Sequence, residues 1–131
     1  MPKGAIDLKR TFLHFTRGHD IERYEANPQF WSDLIARRLR LDGRLVGCAH
    51  LETGPLDHWE RHPDGDEFLL LLSGRATIIL EEPSGRRDAP LKAGEAFIVP
   101  KGVWHTFQIE EEGDLLFATA GENTEHRPTL S

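Results

Sequence analysis

GPLDHWERHPDGDEFLLLLSG, residues 54–74, decides the fold of this chain. It reads as a strand, a tight turn and a second strand. Side chains alternate faces along a strand, so His58, Glu60 and His62 share one face while Trp59 and Arg61 take the other. Pro63-Asp64-Gly65-Asp66 supplies the turn: proline sets φ, aspartate bonds back to the backbone, and glycine accepts a positive φ. The chain then re-enters as Glu67-Phe68-Leu69-Leu70-Leu71-Leu72, with Glu67, Leu69 and Leu71 on one face and Phe68, Leu70 and Leu72 on the other. A carboxylate opening an otherwise apolar strand is the informative oddity, because buried charge is costly unless it is paired, hydrogen-bonded or metal-bound. A later stretch, GEAFIVPKGVWHTFQI at residues 94–109, is placed to bring His105 to the cavity that Glu60, His62 and Glu67 can face.

Outward from this centre the pattern is extended. Residues 45–53 read as a strand ended by Gly54-Pro55, and residues 76–80 as another after a Ser73-Gly74-Arg75 turn. Pro83-Ser84-Gly85 is a hairpin turn. Residues 95–99, 103–109 and 115–120 continue the series, separated by Pro100-Lys101-Gly102 and by an acidic turn at 110–114. Short strands with turn signals every eight to twelve residues indicate an all-β sandwich or barrel. Upstream, residues 11–15 read as a short strand, pairing at a sheet edge or with a second subunit. Asn27-Pro28 reads as a helix N-cap with proline at the first helical position. Phe30, Trp31, Leu34 and Ile35 then form the apolar stripe of a helix of about two turns, with Trp31 read as packing.

The bounds agree with one soluble globular domain. The chain has 131 residues, 38% of them hydrophobic and 29% charged, with a formal charge of -6. An acidic balance argues against nucleic-acid binding, which needs a basic face. No apolar run approaches a membrane span and the first residues lack the apolar centre of a signal peptide. The lone Cys48 fits a reducing compartment, so a cytoplasmic location is expected.

The two stretches together resemble the cupins, small β-barrels of the jelly-roll, or double-stranded β-helix, type. The first cupin motif runs Gly, five residues, His-any-His, three or four residues, Glu, six residues, Gly. Here Gly54, Glu60-Arg61-His62, Glu67 and Gly74 keep those spacings. The second runs Gly, five residues, Pro-any-Gly, two residues, His, three residues, Asn. Gly94, Pro100-Lys101-Gly102 and His105 fit, with Ile109 in the place of Asn. The resemblance implies a jelly-roll barrel over residues 41–120, an N-terminal extension with a short helix packing on it over 1–40, and a tail over 121–131.

Carried over position by position, the resemblance implies a divalent-metal site of Glu60, His62, Glu67 and His105, with Fe, Mn, Zn or Ni as the ion. Glu60 stands where the family has histidine; a carboxylate remains a ligand for such ions. His62, His105 and Glu67 alone supply a two-histidine, one-carboxylate set. His58, one step away on the same face, is the rival to Glu60. A salt bridge to Arg61 or another surface base is the competing role for Glu60, and a metal-free pocket held by Glu67–histidine hydrogen bonds is the competing arrangement for the whole set. His14, His19 and His50 are read as ordinary residues, Trp59 and Trp104 as lying outside the pocket, and Gly121–Pro128 as a frayed end, with folding over the barrel mouth as the alternative.

The expected function is metal-dependent chemistry on a small organic molecule, of the oxygenase, isomerase or lyase type; a Glu60 free of metal would act there as general base. The alternative is a non-catalytic small-molecule or metal-sensing cupin module. The strand 68–72 is apolar on both faces. One is covered by the barrel interior; the other must be covered by the N-terminal segment or by a second subunit. A homodimer is expected.

Overall fold

The computed structural model describes residues 4–129. Twelve strands and one helix follow in order: β1 (Thr11–Phe15), β2 (Ile21–Glu25), α1 (Pro28–Ile35), β3 (Arg44–Leu51), β4 (Gly54–Pro55), β5 (His58–Arg61), β6 (Glu67–Leu71), β7 (Arg75–Glu82), β8 (Gly85–Lys92), β9 (Ala96–Val99), β10 (Trp104–Glu111), β11 (Gly113–Ala120) and β12 (Glu125–Pro128). They form two antiparallel sheets, β2-β1-β3-β11-β6-β9 and β12-β5-β10-β7-β8, with the short β4 pairing to β10. The alternation of short strands and turns predicts the all-β class, and the motif resemblance the jelly roll; the structure has both.

The strand faces are those the alternation predicts. Leu69 and Leu71 of β6 point inward and meet Ile78 and Leu80 of β7, Phe107 and Ile109 of β10, and Leu115 of β11 in one buried cluster between the sheets. Phe68 and Leu72 point out and are exposed. The turns at 62–66 and 100–102 are hydrogen-bonded to each other: Gly102 N–H donates to His62 C=O at 3.0 Å and Lys101 N–H to the Asp66 carboxylate at 2.8 Å. The two segments that carry the candidate ligands are therefore fastened together at their turns.

The helix begins as its sequence dictates. Asn27 Oδ1 accepts the Phe30 N–H at 2.9 Å and Pro28 occupies the first turn, where its missing donor costs nothing. Phe30 is buried with Phe12, Leu41 and Leu45 in a second, smaller cluster. Trp31 touches the rings of Phe12 and Phe30 edge-on, at 5.4 and 5.1 Å between centroids. β1 pairs within its own chain, between β2 and β3. His14 on β1 is buried and satisfied: Nδ1 faces the Glu22 carboxylate at 2.8 Å and Nε2 accepts the Gly43 N–H at 2.9 Å.

Three strands lie outside the sequence expectation. β2 and β8 are mostly exposed edge strands, where apolar alternation is weak, and β8 carries Pro90, which an edge tolerates. β12 lies in the tail that reads as a frayed end. Instead, residues 125–128 pair in register with β5. Arg127 holds it, lying over the rings of Trp59 and Trp104 at 5.0 and 4.6 Å and pairing with Glu81. Arg61 pairs with Glu125 of the same strand. The two tryptophans thus pack outside the cavity, as their parity requires.

The N-terminal segment does not cover the outer face of β6. Its helix packs against Phe12, Leu41 and Leu45 instead, and Phe15, Ile21, Phe68, Leu72 and Ile98 remain exposed.

Candidate metal centre

Glu60 on β5 and His105 on β10 are cross-strand partners, so their side chains stand side by side on the inner face. His62 follows β5 by one residue, and Glu67 opens β6 in the opposite sheet. The fold thus brings all four predicted residues together. One ligand atom from each lies within 4.8 Å of those of the others. His62, Glu67 and His105 are buried; the Glu60 side chain is about one-third exposed, at 32%.

Glu67 is the hub. Its Oε1 lies 2.9 Å from His105 Nε2 and its Oε2 3.2 Å from His62 Nε2. Burial alone pushes this carboxyl upward, but the two close imidazoles, His105 and then His62, outweigh it and hold Glu67 below the usual carboxylate range. Burial likewise disfavours the His105 imidazolium, and the Glu67 carboxylate overrides that and raises its pKa. The pair is matched: each group stabilises the charge on the other.

The second ring nitrogens are also held. His105 Nδ1 lies 3.2 Å from the Val103 carbonyl and His62 Nδ1 2.9 Å from Thr124 Oγ1. Such contacts fix ring orientation and direct Nε2 inward, as the outer partners of metal-bound histidines do. His62 Nε2 is buried and makes no hydrogen bond among the described residues, because Glu67 sits near it without hydrogen-bond geometry. A buried polar atom without a well-formed hydrogen bond is unfavourable, and His62 Nε2 has the Glu67 and Glu60 carboxylates near it at 3.2 and 3.7 Å. The donor set, two imidazoles and one or two carboxylates, suits a divalent first-row cation.

Glu60 pairs with histidines rather than with Arg61. Its Oε2 is 3.0 Å from His58 Nε2 and 3.6 Å from His126 Nε2, and its Oε1 is 3.7 Å from His62 Nε2. Burial raises its pKa, but hydrogen bonds from His126 and His58 and the charge of His62 bring it down to about 2. Burial lowers the His58 pKa, and the carboxylates of Asp57 and Glu60 outweigh this and raise it. His126 and Thr124 are missing from the sequence reading. Both lie in the tail, whose polar residues give no alternation signal, and only the pairing of β12 with β5 places them.

The cluster opens into a cavity of about 640 Å³ between the sheets. Its walls are largely apolar, among them Leu45, Leu69, Phe107 and Phe117, with Trp31, Leu34 and Ile35 of the helix at its mouth; Arg37, Arg40, Glu122 and Asn123 also line it. Thr119 also lines it, and its hydroxyl is buried with no hydrogen-bond partner among the described residues.

Among known proteins, the Cupin_2 family model, described as "Cupin domain", matches residues 48–121. The uncharacterized protein YdbB of Bacillus subtilis is 38% identical over 53 residues, which span 40% of this chain and 43% of that protein. The beta-alanine degradation protein BauB of Pseudomonas aeruginosa is 31% identical over 67 residues, 51% of this chain and 70% of that protein. Among solved structures, a Bacillus subtilis oxalate decarboxylase studied for its Mn(II) centres superposes with a TM-score of 0.55 at 18% identity. The match covers 65% of this chain and 23% of that one, a likeness of fold.

Proposed function

The chain belongs to the cupin family, and on that premise we propose that it is a metalloprotein that binds and transforms a small organic molecule. The observation that carries this reading is the buried His62–Glu67–His105 cluster, whose ligand atoms converge at the floor of a largely apolar cavity. His62, Glu67 and His105 would hold the ion, with Glu60 completing the set. A bound Fe, Mn, Zn or Ni ion would supply Lewis-acid or redox chemistry of the oxygenase, isomerase or lyase kind. This chain's own residues bind and orient the reactant. The apolar walls take a hydrocarbon body, and the Thr119 hydroxyl and the Arg37 and Arg40 side chains offer polar anchors. The substrate class is accordingly a largely apolar molecule with an oxygen donor at one end. Glu60 at a pKa of about 2 is a weak proton acceptor, which favours a ligand role for it over that of general base.

The test is elemental analysis of untagged protein purified without chelators, beside His62→Ala/His105→Ala. The wild type should carry stoichiometric metal that the variant loses. Its identity then selects the assay, oxygen uptake for Fe and isomerase or lyase substrates for Zn or Mn. Metal and ligand binding without turnover would instead favour a sensing or binding module. Wild type that stays empty after incubation with Fe(II), Mn(II), Ni(II) and Zn(II) would refute the metal reading.

We also propose a homodimer, packed through the outer face of the β2-β1-β3-β11-β6-β9 sheet. The support is the exposed apolar set Phe68, Leu72 and Ile98, with Phe68 and Ile98 cross-strand neighbours, which the N-terminal segment leaves open; exposed apolar patches mark association surfaces. Phe68→Glu/Ile98→Glu should convert a dimer to a monomer in sedimentation at micromolar concentration, and a monomeric wild type would exclude the dimer. The single Cys48, buried in β3, is the support for a cytoplasmic location.

A further inference from the structure

Glu60 is the middle of a row of three residues. It pairs in register with His105 of β10 on one side and with His126 of β12 on the other. Cross-strand partners project to the same face, so the row His105–Glu60–His126 crosses the floor of the barrel. Along β5 the residue on the same face is His58. His58, Glu60 and His126 therefore form a second cluster, with one ligand atom from each within 4.8 Å of the others.

The carboxylate of Glu60 is divided between the two clusters. Oε2 faces His58 Nε2 and His126 Nε2 at 3.0 and 3.6 Å, while Oε1 faces His62 Nε2 at 3.7 Å. The His58 and His126 rings are tilted at 56° with centroids 5.4 Å apart, which keeps them from stacking flat. The outer nitrogen of His58 is also held in the way an outer partner holds a metal-bound histidine. His58 Nδ1 is bonded to the Asp57 carboxylate at 2.8 Å, the carboxylate–imidazole arrangement that orients a metal-bound histidine and raises its basicity. The strand carrying His126 is fastened against β5 by Arg127, which lies over Trp59 and Trp104 outside the cavity.

We propose that His58, Glu60 and His126 form a second divalent-cation site, with Glu60 bridging it to the His62–Glu67–His105 site. Two imidazoles and one carboxylate suit Zn(II), Fe(II) or Mn(II) and leave coordination positions for water or a substrate oxygen. His126 is 54% exposed at its side chain, so this site loads and exchanges from solvent more readily than the buried one. The bridging role of Glu60 rests on the metal reading of the first site; the His58–His126 pair does not.

The test titrates chelator-stripped full-length protein with Zn(II) by calorimetry and measures retained zinc after desalting. Wild type should take up about two equivalents per chain, and His58→Ala/His126→Ala and His62→Ala/His105→Ala should each take up about one. His126→Asn alone, at an exposed position, should lower the weaker affinity by about tenfold or more while leaving the circular-dichroism spectrum unchanged. That variant keeps the test open if a double variant fails to fold. Wild type that binds one equivalent, lost only in His62→Ala/His105→Ala, would refute the second site and leave the first standing. One equivalent lost only in His58→Ala/His126→Ala would do the reverse. A wild type that binds none refutes both, and a His126→Asn affinity equal to wild type removes His126 from the site.

Discussion

Replacing Glu67 by alanine is expected to abolish metal retention and to destabilise the metal-free protein by about 3–5 kcal/mol, the cost of removing one partner from a buried charged pair. Glu67 is 5% exposed and His105 2%. His105 Nε2 has Glu67 Oε1 as its partner at 2.9 Å, and the imidazolium loses its counter-charge when that oxygen goes. Glu67→Gln separates shape from charge. The amide fills the same space and offers one oxygen, so its cost to folding should be about 1–2 kcal/mol. Both variants should weaken metal binding by about a hundredfold or more, since even outer partners of a ligand are worth ten- to a hundredfold. Urea unfolding of the apo proteins and a metal competition assay measure the two effects separately. Equal stability of Glu67→Ala and wild type would mean that the carboxylate contributes nothing to the apo cluster.

The pH dependence of the apo protein follows from the same pair. His105 is raised above its ordinary value of 6.5 by Glu67, so its contribution is fully present below 6.5 and is lost as the pH rises through the raised value. Glu67 is lowered from 4.5, so its contribution is present above 4.5 and is lost as the pH falls through the lowered value. The stability supplied by the pair is therefore greatest between 4.5 and 6.5. A metal ion competes with the proton on His105, so metal affinity should fall, and protons should be released on binding, below the raised histidine pKa. In Glu67→Gln the apo stability gained as the pH falls through the raised histidine pKa to 6.5 should disappear.

The second large effect is expected at Gly74, the last residue of the first motif. Its φ is +82°, and a Cβ there would lie 2.5 Å from the Glu111 carbonyl oxygen and 2.6 Å from that of Glu112. Those atoms belong to the backbone between β10 and β11 and cannot swing aside as a side chain would. Gly94 separates the two causes: its φ is +90°, yet nothing lies within 4 Å of its would-be Cβ. Gly94→Ala should cost about 1 kcal/mol, the strain of the left-handed conformation alone. Gly74→Ala adds the clash and should cost about 3 kcal/mol or more, lowering Tm by about 10 °C or more. Thermal melts of the two variants side by side decide the matter; equal melting points would mean that the β10–β11 turn moves freely away.

Much of this was legible in the chain itself. Strand parity is local, so the inward set Glu67, Leu69 and Leu71, the outward set Phe68 and Leu72, and the exterior placement of Trp59 and Trp104 all followed from alternation. The turns at 63–66 and 100–102 were readable from proline and glycine. Asn27-Pro28 announced the start of the helix because capping involves neighbours three residues apart. The grouping of Glu60, His62, Glu67 and His105 was legible through the spacing of two motifs.

What the sequence by itself determined is therefore an all-β barrel or sandwich and the faces of its central strands, since turn chemistry and strand alternation act within a few residues; the jelly roll and the grouping of four candidate residues came from the resemblance in motif spacing. Only the tertiary structure decided that β12 lies beside β5, that His126 and Thr124 reach Glu60 and His62, and that helix α1 lines the mouth of the cavity rather than covering the outer sheet face. The contacts of the tail join residues some sixty positions apart through backbone pairing, cation–π and polar contacts. Such contacts impose no hydrophobic period on the chain, so they exist only once the folded backbone brings their partners together.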